Sequence, residues 1–129
     1  MNNTSILEQE LDARLKECTQ LSEKESESIV RFDPAFRGFD GHFEGNPIVP
    51  GVCLVQMIRI HMQRLTEETL ILSEVSQCRF RSPVLADMSV CNKVKILSAS
   101  DGEYMVQADV TAGDVPVCRM KLKMRRSAV

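Results

Sequence analysis

No stretch of this 129-residue chain approaches the roughly 20 consecutive apolar residues that a membrane-spanning helix needs. The first residues are polar and acidic, without the apolar core of a signal peptide, which predicts a cytoplasmic protein. An excess of positive charge is missing too. Sixteen Lys and Arg against eighteen Asp and Glu leave a net charge of −2, which gives no electrostatic footprint for nucleic acid. The five cysteines (Cys18, Cys53, Cys78, Cys91 and Cys118) form no C-x-x-C pair and are odd in number. That pattern argues against structural zinc and against a disulfide framework, and it predicts buried, reduced thiols. No metal and no redox cofactor are expected. Internal repeats and low-complexity linkers are absent as well, so the length fits one domain with one substantial core.

Histidine occurs only twice, and its placement is informative. His42 lies in Gly41-His42-Phe43-Glu44-Gly45-Asn46-Pro47-Ile48-Val49-Pro50-Gly51, a stretch with three glycines and two prolines. Glycine permits close approach of backbone to a ligand, and proline fixes φ and removes a donor. An apolar helical pattern begins directly afterwards, so the loop should hold His42 beside a helix N-terminus. Such an end offers unpaired N–H groups and partial positive charge. A base next to an oxyanion-type pocket is a catalytic arrangement.

The rest of the chain divides by periodicity. Ile6, Leu7, Leu11, Leu15, Cys18 and Leu21 are spaced by three or four where they recur, and Ser5 with Glu8 can form a capping box. These predict a first amphipathic helix over residues 4–22, followed by a polar linker at 22–28. Ile29 to Phe32 reads as a short extended segment. From about Gly51 to Leu65 the stripe Val52, Val55, Ile58, Met62 and Leu65, widened by Leu54 and Ile60, predicts a largely buried helix with Arg59 and Arg64 on its outer face. Strands are expected at Val75 to Arg81, around Val90 to Ile96, from Tyr104 to Val110 after a turn at Ser100-Asp101-Gly102, and around Cys118 to Met124 after Ala112-Gly113-Asp114. The sum is an α+β protein: one long buried helix against a three- to five-stranded, mostly antiparallel sheet. Residues 1–28 read as an N-terminal helix and linker, and residues 29–129 as the main domain.

The stretch Phe39 to Val52 resembles the G-H-F-P-G-x-P-x-x-P-G-V motif of the hotdog-fold 3-hydroxyacyl-[acyl carrier protein] dehydratases of fatty acid synthesis. It looks closest to the small dehydratase-like branch typified by aryl polyene pathways. Arg79-Phe80-Arg81-Ser82-Pro83-Val84 is similar to a second family pattern, R-F-x-x-P-V. The likeness covers roughly residues 29–125. It implies a hotdog fold, a long central helix wrapped by the sheet, and an obligate homodimer or higher homo-oligomer with the active site between subunits.

By that resemblance His42 removes the α-proton of an acyl thioester, and the Gly51 N–H polarises the thioester carbonyl. Phe43, Gly45, Pro50, Val52 and Cys53 would line an apolar substrate tunnel. The family places an acid fourteen residues after the histidine, to protonate the departing hydroxyl. Here that position is Gln56, and the usual proline of H-F-P-G is Glu44. Glutamine donates a hydrogen bond but delivers no proton near neutral pH. Three readings stay open: a dehydratase in which Glu44 or a water substitutes for the acid, a thioesterase in which Gln56 orients water, or a non-catalytic binder of acyl carrier proteins. The ligand would be an acyl carrier protein or acyl-CoA thioester.

Other candidates have simpler readings. His61, five residues beyond Gln56, should face elsewhere and be a surface or hydrogen-bonded core histidine. Cys53, in the first helical turn, invites a depressed pKa, but core packing is favoured. Arg119, Lys121, Lys123 and Arg125 form a basic face suited either to an acidic carrier protein or to a solvated edge strand.

Overall fold

In the computed structural model, which describes residues 5–39 and 47–128, a six-stranded sheet wraps around a 16-residue helix. The elements are α1 (Ile6–Arg14), β1 (Leu15–Gln20), β2 (Glu25–Phe32), a 3₁₀ turn (Arg37–Phe39), α2 (Gly51–Thr66), β3 (Leu70–Phe80), β4 (Met88–Ser100), β5 (Glu103–Ala112) and β6 (Val115–Arg126). The strand order is β1-β2-β4-β5-β6-β3, antiparallel throughout. One long helix on a curved antiparallel sheet is the hotdog arrangement. Among the described residues no helix is long and apolar enough to cross a membrane.

The last three strands follow their alternation. Val106, Ala108 and Val110 of β5 and Met120, Leu122 and Met124 of β6 are buried against Met57, Ile58 and Met62 of α2. The β4–β5 turn places Asp101 and Gly102 at φ 52° and 76°, left-handed angles that a tight two-residue hairpin needs and that Gly meets without strain. Helix α2 starts after Pro50 and stops at Glu67, whose left-handed φ of 58° ends the helical run.

Three expectations need correction. The first helix ends at Arg14, and residues 15–20 form β1. A bulge is the reason: Glu17 has φ 51°, and the register shifts between Lys16 and Thr19. The extra residue lets Leu15 and Cys18, three apart, face the same side, which imitates helical spacing. Second, the polar run at 22–28 is not a linker, because β2 begins at Glu25 and crosses residues 28 and 29 in pairing with β4. Its inward positions Ser26 and Ser28 are buried although they are not apolar. Third, the sheet has six strands, and β6 lies between β5 and β3, so its basic face is not an edge. The edges are β1 and β3.

The residues flanking 40–46 are anchored on both sides. Phe32, Phe36 and Phe39 stack edge to face, with ring centroids 5.0 Å and 5.3 Å apart. Arg14 of α1 bonds Asp33 at 2.8 Å and lies over the Phe36 ring. On the other side, Val49 N–H donates to the Val84 carbonyl at 2.8 Å.

Candidate active site

The two sequence motifs meet in space. Ile48 forms a β-bridge with Leu85, and Val49 bonds Val84, so residues 47–51 lie beside residues 80–84. Pro50 is the N-cap of α2 and contributes no side-chain cap bond. The Gly51 N–H finds no acceptor among the described residues, so the donor and the positive end of the helix dipole are available to a ligand. A groove of about 440 Å³ opens here, lined by Ile48, Gly51, Leu54, Phe80, Pro83 and Val84 among others. The Phe80 ring lies directly on Gly51, where an added Cβ would come within 2.9 Å of the ring. His42, Phe43, Glu44 and Gly45 lie outside the described residues.

Gln56 opens onto a different groove, about 540 Å³, between α1, α2 and the start of β3. Val52, Leu7, Ile71 and Leu72 also line it. Five residues along a helix turn the side chain by roughly 140° and advance it about 7.5 Å, so Gly51 and Gln56 of one chain face different grooves. Val52, expected in the buried stripe, is 62% exposed on this side.

Arg59 is the residue that pattern reading misplaced. Expected on the outer face, it is only 7% exposed. Its Nε donates to Gln56 Oε1 at 2.6 Å. Nη1 donates to Gln63 Oε1 at 3.0 Å and to the Leu70 carbonyl at 3.1 Å. Nη2 pairs with the Glu8 carboxylate of α1. A buried guanidinium is costly unless its donors and charge are matched, and Glu8 supplies the charge. The signal was in the sequence: Gln56 and Gln63 lie three residues before and four after Arg59, on one helix face. Ser5 caps α1 as expected, accepting from Glu8 N–H at 3.1 Å.

Cys53 is buried, burial raises its thiol pKa, and it lines neither groove. It belongs to the core. Burial also pushes the Cys118 thiol up to about 12. All five cysteines are free, but Cys78 is exposed, contrary to the expectation of uniformly buried thiols.

His61 faces away from Gln56, into the sheet, and is fully buried. Asn92 Nδ2–H donates to Ser28 Oγ at 3.2 Å. His61 Nδ1 is hydrogen-bonded to Ser28 Oγ at 2.6 Å and Nε2 to Ser26 Oγ at 2.8 Å, so both ring nitrogens have hydroxyl partners. Desolvation, helped by the charge of Arg64, lowers the His61 pKa from 6.5 to about 4. This histidine is neutral and structural.

On the outer face of the sheet Glu27, Lys93, Asp109, Arg119 and Arg79 stand directly opposite one another in a row across five strands. Asp109 bonds Arg119 at 2.6 Å, which neutralises one of the four cations on the basic face of β6. Arg79, opposite Arg119, has no ion-pair partner among the described residues. It and Arg81 remain as cations beside Phe80.

Comparison with known proteins accords with this geometry. FabZ, the 3-hydroxyacyl-[acyl-carrier-protein] dehydratase of Caulobacter vibrioides, is 28% identical over 85 residues, 59% of this chain and 54% of that protein. The chain thus spans about half the length of the curated relatives it matches. Among solved structures, the dehydratase heterocomplex ApeI:P from Xenorhabdus doucetiae superposes with a TM-score of 0.70 at 20% identity, covering 87% of this chain and 96% of the other. A hypothetical thioesterase with coenzyme A from Streptococcus pneumoniae has a TM-score of 0.63 at 11% identity, covering 86% and 84%. The family described as ApeI-like, ApeI dehydratase, matches residues 18–114. With that span, with residues 47–51 beside the second motif and with a sheet wrapped around one central helix, the chain belongs to the ApeI-like dehydratases, within the hotdog-fold acyl carrier protein dehydratases.

Proposed function

We propose that this protein acts on 3-hydroxyacyl thioesters as a dehydratase, with His42 as the base and the Gly51 N–H as the donor to the thioester carbonyl. The observation that carries the reading is the junction of residues 47–51 with residues 80–84 at the N-terminus of α2, where the Gly51 N–H has no acceptor among the described residues. Loss of water needs a base at carbon, a polarised carbonyl and a group that assists the departing oxygen. Gln56 occupies the third place and gives a hydrogen bond in place of a proton. The test is an assay of hydration and dehydration on short enoyl and 3-hydroxyacyl thioesters of carrier protein and coenzyme A, with free thiol followed in parallel. Dehydration in the wild type, enhanced in Gln56→Glu, supports the reading. Thiol release without dehydration replaces it with a thioesterase, and inertness of both forms replaces it with a non-catalytic binder.

The site needs a second chain. Gly51 and Gln56 of one chain open onto different grooves, while residues 73–80 of edge strand β3 are exposed, with Val75 at 44% and Phe80 at 51%. An exposed edge with apolar side chains is a template for pairing. A homodimer through β3 would bring each Gln56 towards the partner's His42. Sedimentation should show a dimer for the wild type and a monomer for Val75→Asp; a monomeric wild type refutes the homodimer. A specific observation favours a second form of the same idea. The Xenorhabdus neighbour is described as a heterocomplex, and a chain with histidine but no acid suits a hotdog partner that brings the acid. Activity that appears only on mixing with such a partner identifies that form.

A further inference from the structure

We propose that Arg59 is a positioning residue that turns Gln56 into a fixed hydrogen-bond donor for a substrate oxygen; the inference rests on the dehydratase reading above. A free glutamine amide presents either its oxygen or its nitrogen. Here the oxygen is taken, because Arg59 Nε donates to Gln56 Oε1 at 2.6 Å. The guanidinium itself cannot swing away, since Gln63, the Leu70 carbonyl and Glu8 hold its other nitrogens and its side chain is 9% exposed. The Gln56 NH₂ has no partner among the described residues and borders a groove lined by Leu7, Val52, Ile71 and Leu72 together with Ser5 and Glu8, whose carboxylate is paired with Arg59. A fixed donor beside apolar side chains selects an acceptor, such as the oxygen of a 3-hydroxyl group.

This assigns α1 a part in the site. Glu8 neutralises the buried arginine, the arginine orients the glutamine, and the glutamine meets the ligand. Arg59 touches no reacting atom in this scheme and acts only through Gln56.

The experiment measures binding of a pantetheine amide analogue of a 3-hydroxybutyryl thioester to the full chain, together with the side-chain ¹⁵N–¹H resonances of Gln56. In the wild type the Gln56 amide pair should be dispersed and should shift on binding. In Arg59→Met, and in Arg59→Lys as the variant that keeps the charge, the pair should collapse towards free-amide values. Affinity should fall about tenfold, the scale of one lost hydrogen bond. In a Gln56→Leu background the arginine substitutions should cost no further affinity. Equal losses in both backgrounds, or an unchanged Gln56 resonance in Arg59→Lys, overturn the positioning role while leaving the dehydratase reading intact. A wild type that binds no analogue but binds an unmodified acyl thioester also overturns it. If neither ligand binds, the dehydratase reading falls and takes the inference with it.

Discussion

Replacing His42 by alanine should lower the rate of dehydration about 10²–10⁴-fold, the usual contribution of a positioned base. The loss should fall on kcat, with KM little changed, because the imidazole is needed when the α-proton leaves and not when the thioester binds. Some rate should survive, since the Gly51 N–H and the helix dipole still polarise the carbonyl. The pH profile adds a sharper test. Gln56 does not titrate, so a homodimer should show kcat rising through one ionisation, that of the base, and then levelling. A bell-shaped profile would place a true acid in the site, from Glu44 or from a different partner chain. Full activity in His42→Ala, with folding unchanged by circular dichroism, removes the assignment.

Acidification should destabilise the fold through His61 before most carboxylates titrate. The folded-state pKa is about 4, against 6.5 for the free side chain, so on lowering the pH the unfolded chain takes up the proton first. Stability should therefore be level above pH 6.5, decline between 6.5 and 4, and flatten again below. A gap of that size corresponds to about 3 kcal/mol. Urea unfolding at pH 7.5 and at pH 4.5 should reveal most of it. In His61→Gln, which keeps an amide for one of the two serines but does not ionise, that part of the slope should vanish. The baseline stability at pH 7.5 should also drop, because Ser26 and Ser28 share His61 as a partner and buried unpaired hydroxyls are expensive. Equal slopes in wild type and variant would mean that other groups carry the acid sensitivity.

The second half of the fold was legible in the sequence because its chemistry is regular. Met120, Leu122 and Met124 alternate with Lys121 and Lys123, and Gly102 and Gly113 mark the turns with positive φ. The misread parts share a physical cause: side chains did not report their side of the sheet. In β1 the bulge at Glu17 changed a period of two into a spacing of three. In the first half of β2 the inward positions are Ser26 and Ser28, whose polarity is met by His61, so burial there left no apolar trace. In β3 both faces are exposed after Leu72, and alternation had nothing to record. The site divided similarly. The glycine-rich motif named Gly51 and, by counting, Gln56, whereas Arg59 looked like a surface charge because Glu8, the carboxylate that neutralises it, lies 51 residues away in α1.

The sheet order also bears on how the chain is made. Among the described residues strand β3 has a single hydrogen-bonded neighbour, β6, and the two pair antiparallel from Leu70↔Arg126 to Phe80↔Cys118. During synthesis β3 leaves the ribosome well before that neighbour exists, and the backbone groups that pair with β6 must wait unpaired until residues 115–126 have been translated. Strands β1, β2 and α1 can assemble with β4 in the meantime, but β3 cannot take its place. At typical elongation rates of about 5–20 residues per second the wait lasts seconds, long on the scale of hairpin formation. Slow translation of the last strand should thus endanger solubility more than slow translation of any earlier one.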